Sequence, residues 1–177
     1  IKRAGQFGRV GHAGTLDPLA DGVLPIAVGG ATRMIDFLHL KSKRYLAMVM
    51  FGIATDTHDL GGRLIAQSAQ TPGLSVLRNA LDILVERRLQ RPPIYSAIKV
   101  GGRRSYQLSR DGKPPELPER KVTIYSMSIS DIAWWDGDDL SSVGLSHFRA
   151  PSGNGGRLVV AIDVSCGAGT YVRSIAR

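Results

Sequence analysis

The chain has 177 residues, 43% of them hydrophobic, enough for one sizeable core and short of what two full domains need. No apolar stretch approaches the length that crosses a bilayer, and the lone cysteine, Cys166, excludes an internal disulfide framework and suits a reducing, cytoplasmic compartment. The formal net charge of +8 is concentrated: between Arg87 and Lys121 stand ten Lys or Arg against three acidic residues, the balance of a surface that meets a polyanion or of a solvated arm kept soluble.

In chain order, the first distinctive stretch is GHAGTLDPLADG, Gly11 to Gly22. Pro18 biases Asp17 away from helical geometry and the flanking glycines permit tight turns, so local chemistry alone reads Asp17 as a turn former or N-cap. KRYLAMVMFG then alternates, Tyr45, Ala47, Val49 and Phe51 facing one way and Leu46, Met48 and Met50 the other. That is the period of a strand with both faces covered. TDTHDLGG reads as the turn of a hairpin into the short strand RLIAQ. After Thr71-Pro72-Gly73, the apolar residues Leu74, Leu77, Leu81 and Leu84 or Val85 recur at helical spacing. Tyr95 and Tyr106 are interleaved with the positive charge, where they can offer stacking to bases.

KVTIYSMSI and RLVVAIDVSC read as two further strands, and segment 131–156, with Trp134 and Trp135, as a long surface loop. GAGTYVRSIAR predicts a helix opening at Gly169 or Thr170 with Arg173 in its first turn. The helix dipole disfavours a cation there, so Arg173 needs another reason, such as a fixed carboxylate or a phosphate. Leu38 and Ile175 read as core. The elements lack the strict alternation of a doubly wound sheet, which gives an α+β fold with a mixed, mainly antiparallel sheet flanked by helices. His12, His39, His58 and His147 show no metal-ligand spacing, and neither a phosphate-binding P-loop nor a G-x-S-x-G elbow is present.

GHAGTLDPLADGVLPIAVGGATR, KRYLAMVMFGIATDTHDLGG, RPPIYSAIKVGGRRSYQLSRDG and SCGAGTYVRSIAR stand in the order and spacing of the TruB family, and the chain resembles these bacterial tRNA pseudouridine synthases everywhere except the 131–156 segment. The resemblance implies a single pseudouridine synthase catalytic domain over 1–177, truncated at both ends, with a thumb-like insertion over about 67–121 that closes on the T-arm of tRNA. The family's opening strand with its K-P-x-G element, the strand after the last helix and the C-terminal RNA-binding domain are absent from this sequence.

Carried over by position, the resemblance implies that Asp17 is the catalytic aspartate, that Tyr45 lies against the target uracil and serves in loss of the C5 proton, and that Arg173 pairs with Asp17. It assigns His12 to RNA contact beside the flipped nucleotide. Within the matching basic segment, Tyr95, Lys99, Arg103, Arg104 and Arg110 are the RNA-binding candidates, and Asp59 and Tyr171 are supporting residues. Such an isomerisation needs no metal, nucleotide or redox cofactor, and implies tRNA as partner, with no membrane and no obligatory protein partner. Two other readings compete. One is a guide-RNA-dependent, dyskerin-type synthase, which matches IYSAIKVGGRRSYQLSRDG less well. The other is a non-catalytic, basic RNA-binding or RNA-folding module, which has no use for a carboxylate in a phosphate-seeking surface.

Overall fold

The computed structural model describes residues 5, 7–135 and 156–177. They form two compact units, Ile1–Lys43 and Arg44–Arg177. In the first, β1 (Val10–His12) and β2 (Ile26–Val28) pair antiparallel, with Gly11 opposite Ala27. A 3-10 turn over Gly29–Met34 then leads into the single-turn helix α1 (Ile35–His39). The loop between the two strands is the GHAGTLDPLADG stretch. Ala13 is buried and donates its N–H to the Pro25 carbonyl at 3.0 Å. Asp17 opens a β-turn, its carbonyl accepting from the Ala20 N–H at 2.9 Å, with Pro18 in the second position where its fixed φ is preset for the turn.

A Cβ on Gly11 would meet the Cδ1 of Ile35, which lies against the strand there. Ile35 is thus the α1 side chain turned onto the hairpin. Leu38, expected in the core, is instead 39% exposed, along with Phe37 and Leu40. A helix of five residues presents little more than one inward position.

The second unit contains, in chain order, β3 (Lys43–Met50), β4 (Ile53–Thr55), β5 (Leu64–Gln67), α2 (Leu74–Glu86), β6 (Leu89–Gln90), β7 (Lys99–Val100) and β8 (Arg103–Arg104). These are followed by α3 (Ser105–Arg110), β9 (Arg120–Lys121), β10 (Ile124–Trp135), β11 (Arg157–Cys166) and a 3-10 turn over Val172–Ser174. The main sheet has the order β10-β11-β3, with β10 and β11 antiparallel and two irregularities in their register. Being central, β11 is covered on both sides, and Val160, Val164 and Cys166 are almost wholly buried. α2 lays Leu77 and Leu81, one helical turn apart, against the cluster that holds Ile124, Ile162 and Val164, while Tyr45 and Val49 of β3 and Phe51 just after it pack on the same cluster. Each such side chain contributes about 1.5–3 kcal/mol when fully buried.

The mixed α+β character with antiparallel pairing is observed, and several local expectations change. β3 is not covered on both faces, since Leu46 is 66% exposed. The strand expected at KVTIYSMSI is split. Arg120 and Lys121 pair with β6, after which the chain joins the main sheet at Ile124 and stays in it to Trp135. Residues 131–135 are therefore strand, with Trp135 buried, and of the expected loop 136–155 lie outside the described residues. The helix expected from Gly169 is reduced to the 3-10 turn Val172–Ser174, and Tyr171, expected inside it, is instead the extended residue that leads into the turn (φ −100°, ψ 110°). Its three residues generate little dipole, which removes that argument about Arg173. Ile175 is buried in the main cluster.

Candidate functional site

In the second unit, a cluster of polar groups surrounds Arg173. The hairpin β4–β5 turns through Asp56 to Arg63, and this turn is built on carboxylates. The Asp59 Oδ1 accepts from the Thr57 hydroxyl at 2.7 Å and from the Gly61 N–H at 3.0 Å. Asp56 Oδ1 accepts from the Arg63 N–H at 2.8 Å. The Thr55 hydroxyl, in a buried residue, donates to the Asp59 carbonyl at 2.7 Å. Gly62 lies so close beneath the turn that a Cβ would fall 2.7 Å from Asp56 Oδ1 and 2.9 Å from the Thr57 nitrogen.

Arg173 reaches this turn from the far end of the chain. Its Nη1 donates to the Thr57 carbonyl at 3.0 Å and lies 3.4 Å from Asp59 Oδ2, and its Nη2 donates to the Tyr95 carbonyl at 3.1 Å. Both side chains of the ion pair are largely shielded, 14% and 19% exposed. The planar fork is thereby held in one orientation, as a charged group that orients an anionic or developing negative partner must be. His58, between Thr57 and Asp59, adopts a left-handed φ of 60°, and its buried Nδ1 has no hydrogen-bond partner among the described residues. Burial, then the charges of Arg177 and Arg173, push its pKa down, with Asp59 pulling the other way.

Gln90 of β6 grips the backbone of Tyr171: its Oε1 accepts from the Tyr171 N–H at 2.8 Å, and its Nε2 donates to the Tyr171 carbonyl at 3.0 Å. Tyr95 follows Gln90 after the buried Pro92 and Pro93. From Ile94 onwards the segment is locked to α3. The buried Ser105 hydroxyl donates to the Ile94 carbonyl, and the Tyr106 N–H donates to the Ser96 carbonyl at 3.1 Å.

Of the residues singled out in the sequence, Arg173, Asp59, Tyr95 and Tyr171 thus come together, Tyr95 and Tyr171 through their backbones. Tyr45 is half-buried near the start of β3, against the main cluster. Lys99, Arg103 and Arg104 lie exposed on the β7–β8 hairpin, where Arg103 makes an ion pair with Asp111 at 2.5 Å, and exposed Arg110 stands 5.6 Å over the Tyr106 ring. In the first unit, Asp17 is half-buried at its turn, and His12 is exposed, with Nδ1 donating to the Gly14 carbonyl. Thr57, His58 and Gln90 were not singled out. Nothing in the sequence pattern marks them, since Thr57 meets Arg173 through its carbonyl and Gln90 sits in a two-residue strand.

Residues 2–172 match the family described as TruB family pseudouridylate synthase (N terminal domain). The chain belongs to that family. Among curated relatives, it is 45% identical to the tRNA pseudouridine synthase B of a Nostoc species and 41% identical to that of Acaryochloris marina, in each case over 100% of this chain and 54% of the relative. It is 37% identical to that of Lactobacillus delbrueckii subsp. bulgaricus over 99% of this chain and 54% of the relative. The chain therefore spans about half the length of the curated relatives it matches.

Proposed function

We propose that this chain is the catalytic part of an isomerase that converts the T-loop uridine of tRNA into pseudouridine. The observation that carries the reading is the fixed guanidinium of Arg173, held by Asp59, Thr57 and Tyr95 in a chain of this family. The enzyme extrudes the target nucleotide at a cost of roughly a few kcal/mol. Asp17 attacks the ribose C1′ or otherwise promotes departure of uracil. The base turns and rejoins through C5, and the C5 proton leaves with the help of Tyr45, directly or through water. Arg173 presents its planar fork, held in one orientation, to the anion that reacts. The N1–C1′ and C5–H bonds are exchanged for C1′–C5 and N1–H bonds within one nucleotide, so the chemistry is redox-neutral and calls for no external redox partner.

In this reading the stretch 67–121 contains the arm that closes on the T-arm. α2 packs on the main sheet, whereas β6 and β9 pair Leu89 with Lys121 and Gln90 with Arg120, and so pin the two ends of the basic excursion between them. Lys99, Arg103, Arg104 and Arg110 supply phosphate contacts there, Tyr95 lies at the arm's root, and His12 meets the RNA from the first unit.

The deciding experiment is tritium release from C5-labelled uridine in an unmodified tRNA transcript, with the full-length protein and its Asp17→Asn variant, and with tRNA binding measured for both. Release by the wild type and binding without release by the variant support the reading. Binding without release by both overturns it in favour of an RNA-binding module.

A further inference from the structure

Arg173 sits in a segment with little regular structure of its own. β11 ends at Cys166, Gly169 turns the chain with a φ of 80°, and the only repeating geometry that follows is the three-residue turn Val172–Ser174. A long, flexible side chain leaving such a segment is aimed only as well as its backbone is held. Tyr171, two residues before it, is extended, and its N–H lies outside both the sheet and the turn. Backbone groups in that position need a partner when shielded from water. The partner is the Gln90 side chain, whose primary amide meets the N–H and the C=O of Tyr171 together, as a neighbouring strand would. Two bonds to one residue restrict rotation about the peptide units on both sides of it, which a single bond does not.

The same short strap returns to Arg173 at its other end. Five residues after Gln90, the Tyr95 carbonyl accepts from Arg173 Nη2. Between the two lie Pro92 and Pro93, whose rings fix φ, and Pro93 is among the most completely buried residues of the chain. The strap therefore fixes the backbone from which the guanidinium departs and one of the acceptors on which it lands. From the structure we infer that Gln90 is a positioning residue for Arg173: its amide, clamped on Tyr171, sets the direction in which the guanidinium is presented. This rests on the isomerase reading only in so far as the consequence is catalytic. Gln90 touches no RNA in that reading, and its loss should change the rate of the bound complex rather than the affinity. A displacement of about 1 Å in a catalytic group is enough for a loss on the order of a hundredfold.

Two variants of the full-length protein test this. Gln90→Met keeps length and volume and removes both hydrogen bonds. Gln90→Glu keeps the acceptor for the Tyr171 N–H but, when ionised, sets an oxygen against the Tyr171 carbonyl. Protonated, it restores a donor in the same place. Tritium release from the tRNA transcript should show kcat reduced about ten- to a hundredfold in Gln90→Met, with KM for tRNA within about twofold of wild type. The ratio of Gln90→Glu to wild-type rate should rise as the pH is lowered. Independently of turnover, the Arg173 Nε–H resonance, assigned by its disappearance in Arg173→Lys, should move or broaden in Gln90→Met. A kcat within about twofold of wild type in Gln90→Met, a loss shared equally by kcat and KM, or an unmoved Arg173 resonance overturns the inference. If the Met variant does not fold, a flat pH ratio in Gln90→Glu overturns it. If the wild type releases no tritium, the isomerase reading falls, and the Arg173 resonance still decides whether Gln90 sets the guanidinium.

Discussion

Asp59→Asn removes one charge from the Arg173 cluster and almost nothing else. The side chain keeps its shape, and its Oδ1 can still accept from the Thr57 hydroxyl and the Gly61 N–H. What changes is the atom 3.4 Å from Arg173 Nη1, which becomes an amide donor facing a donor. Two unit charges at that separation attract by about 5 kcal/mol at an effective dielectric of about 20. Most of this is offset by the desolvation of two largely shielded groups, and Arg173 retains the Thr57 and Tyr95 carbonyls. A net loss of about 2 kcal/mol is therefore expected, in the range for hydrogen bonds to charged groups. The relatives are about twice as long as this chain, and for a full-length protein of that size each kcal/mol lowers Tm by about 1–2 °C, so the midpoint should fall by about 2–4 °C. Thermal unfolding of the full-length protein followed by circular dichroism measures it, and tritium release should fall in parallel. A Tm unchanged within about 1 °C, with full activity, would refute the argument that Asp59 holds the guanidinium.

Gly62→Ala should destabilise by about 1–3 kcal/mol, since its Cβ would overlap the Asp56 carboxylate and the Thr57 backbone, and urea unfolding should show the midpoint shift. His58 has a folded-state pKa below its ordinary value, so as the pH falls below about 6.5 the unfolded chain takes up a proton first, and stability declines until the folded form is protonated too. His58→Asn, a residue that tolerates the left-handed φ, should flatten the dependence of Tm on pH between about 7 and 5, and an unchanged slope would contradict it. Affinity for tRNA should fall steeply with salt, and Arg104→Ala should lower the slope of log K against log salt by about one if Arg104 neutralises a phosphate.

The parts of the fold that could be read in the sequence are those set by local chemistry. The β4–β5 hairpin follows from its Gly-Gly and Asp-rich turn, and α2 from its leucines. The exposed face of β3 at Leu46 could not be read, because alternation alone does not say whether a second layer covers a strand. Likewise, Trp134 and Trp135 sit beside a Gly- and Ser-rich run, and only pairing with Leu158 and Arg157 reveals them as strand. Arg173 and Asp59 stood out as charged residues in recognisable motifs, yet the anchors of the guanidinium did not. Two of them are carbonyls, of Thr57 and Tyr95, 116 and 78 residues away along the chain, and a carbonyl carries no trace of residue identity. Gln90 was hidden for a related reason: its partners are the backbone atoms of a residue 81 positions away.

The place of β11 at the centre of the main sheet has a consequence for biosynthesis. β3 emerges from the ribosome early, but the strand that separates it from β10 is made near the end of this chain, and the bidentate contact of Arg44 with Asp163 spans 119 residues. At a translation rate of about 5–20 residues per second, the Tyr45, Val49 and Phe51 face waits roughly 6–24 seconds for its partner. During that interval the nascent chain carries an unpaired strand with an apolar side. Chaperone supply and codon usage between these two strands should therefore govern its yield more than the stability of the finished fold.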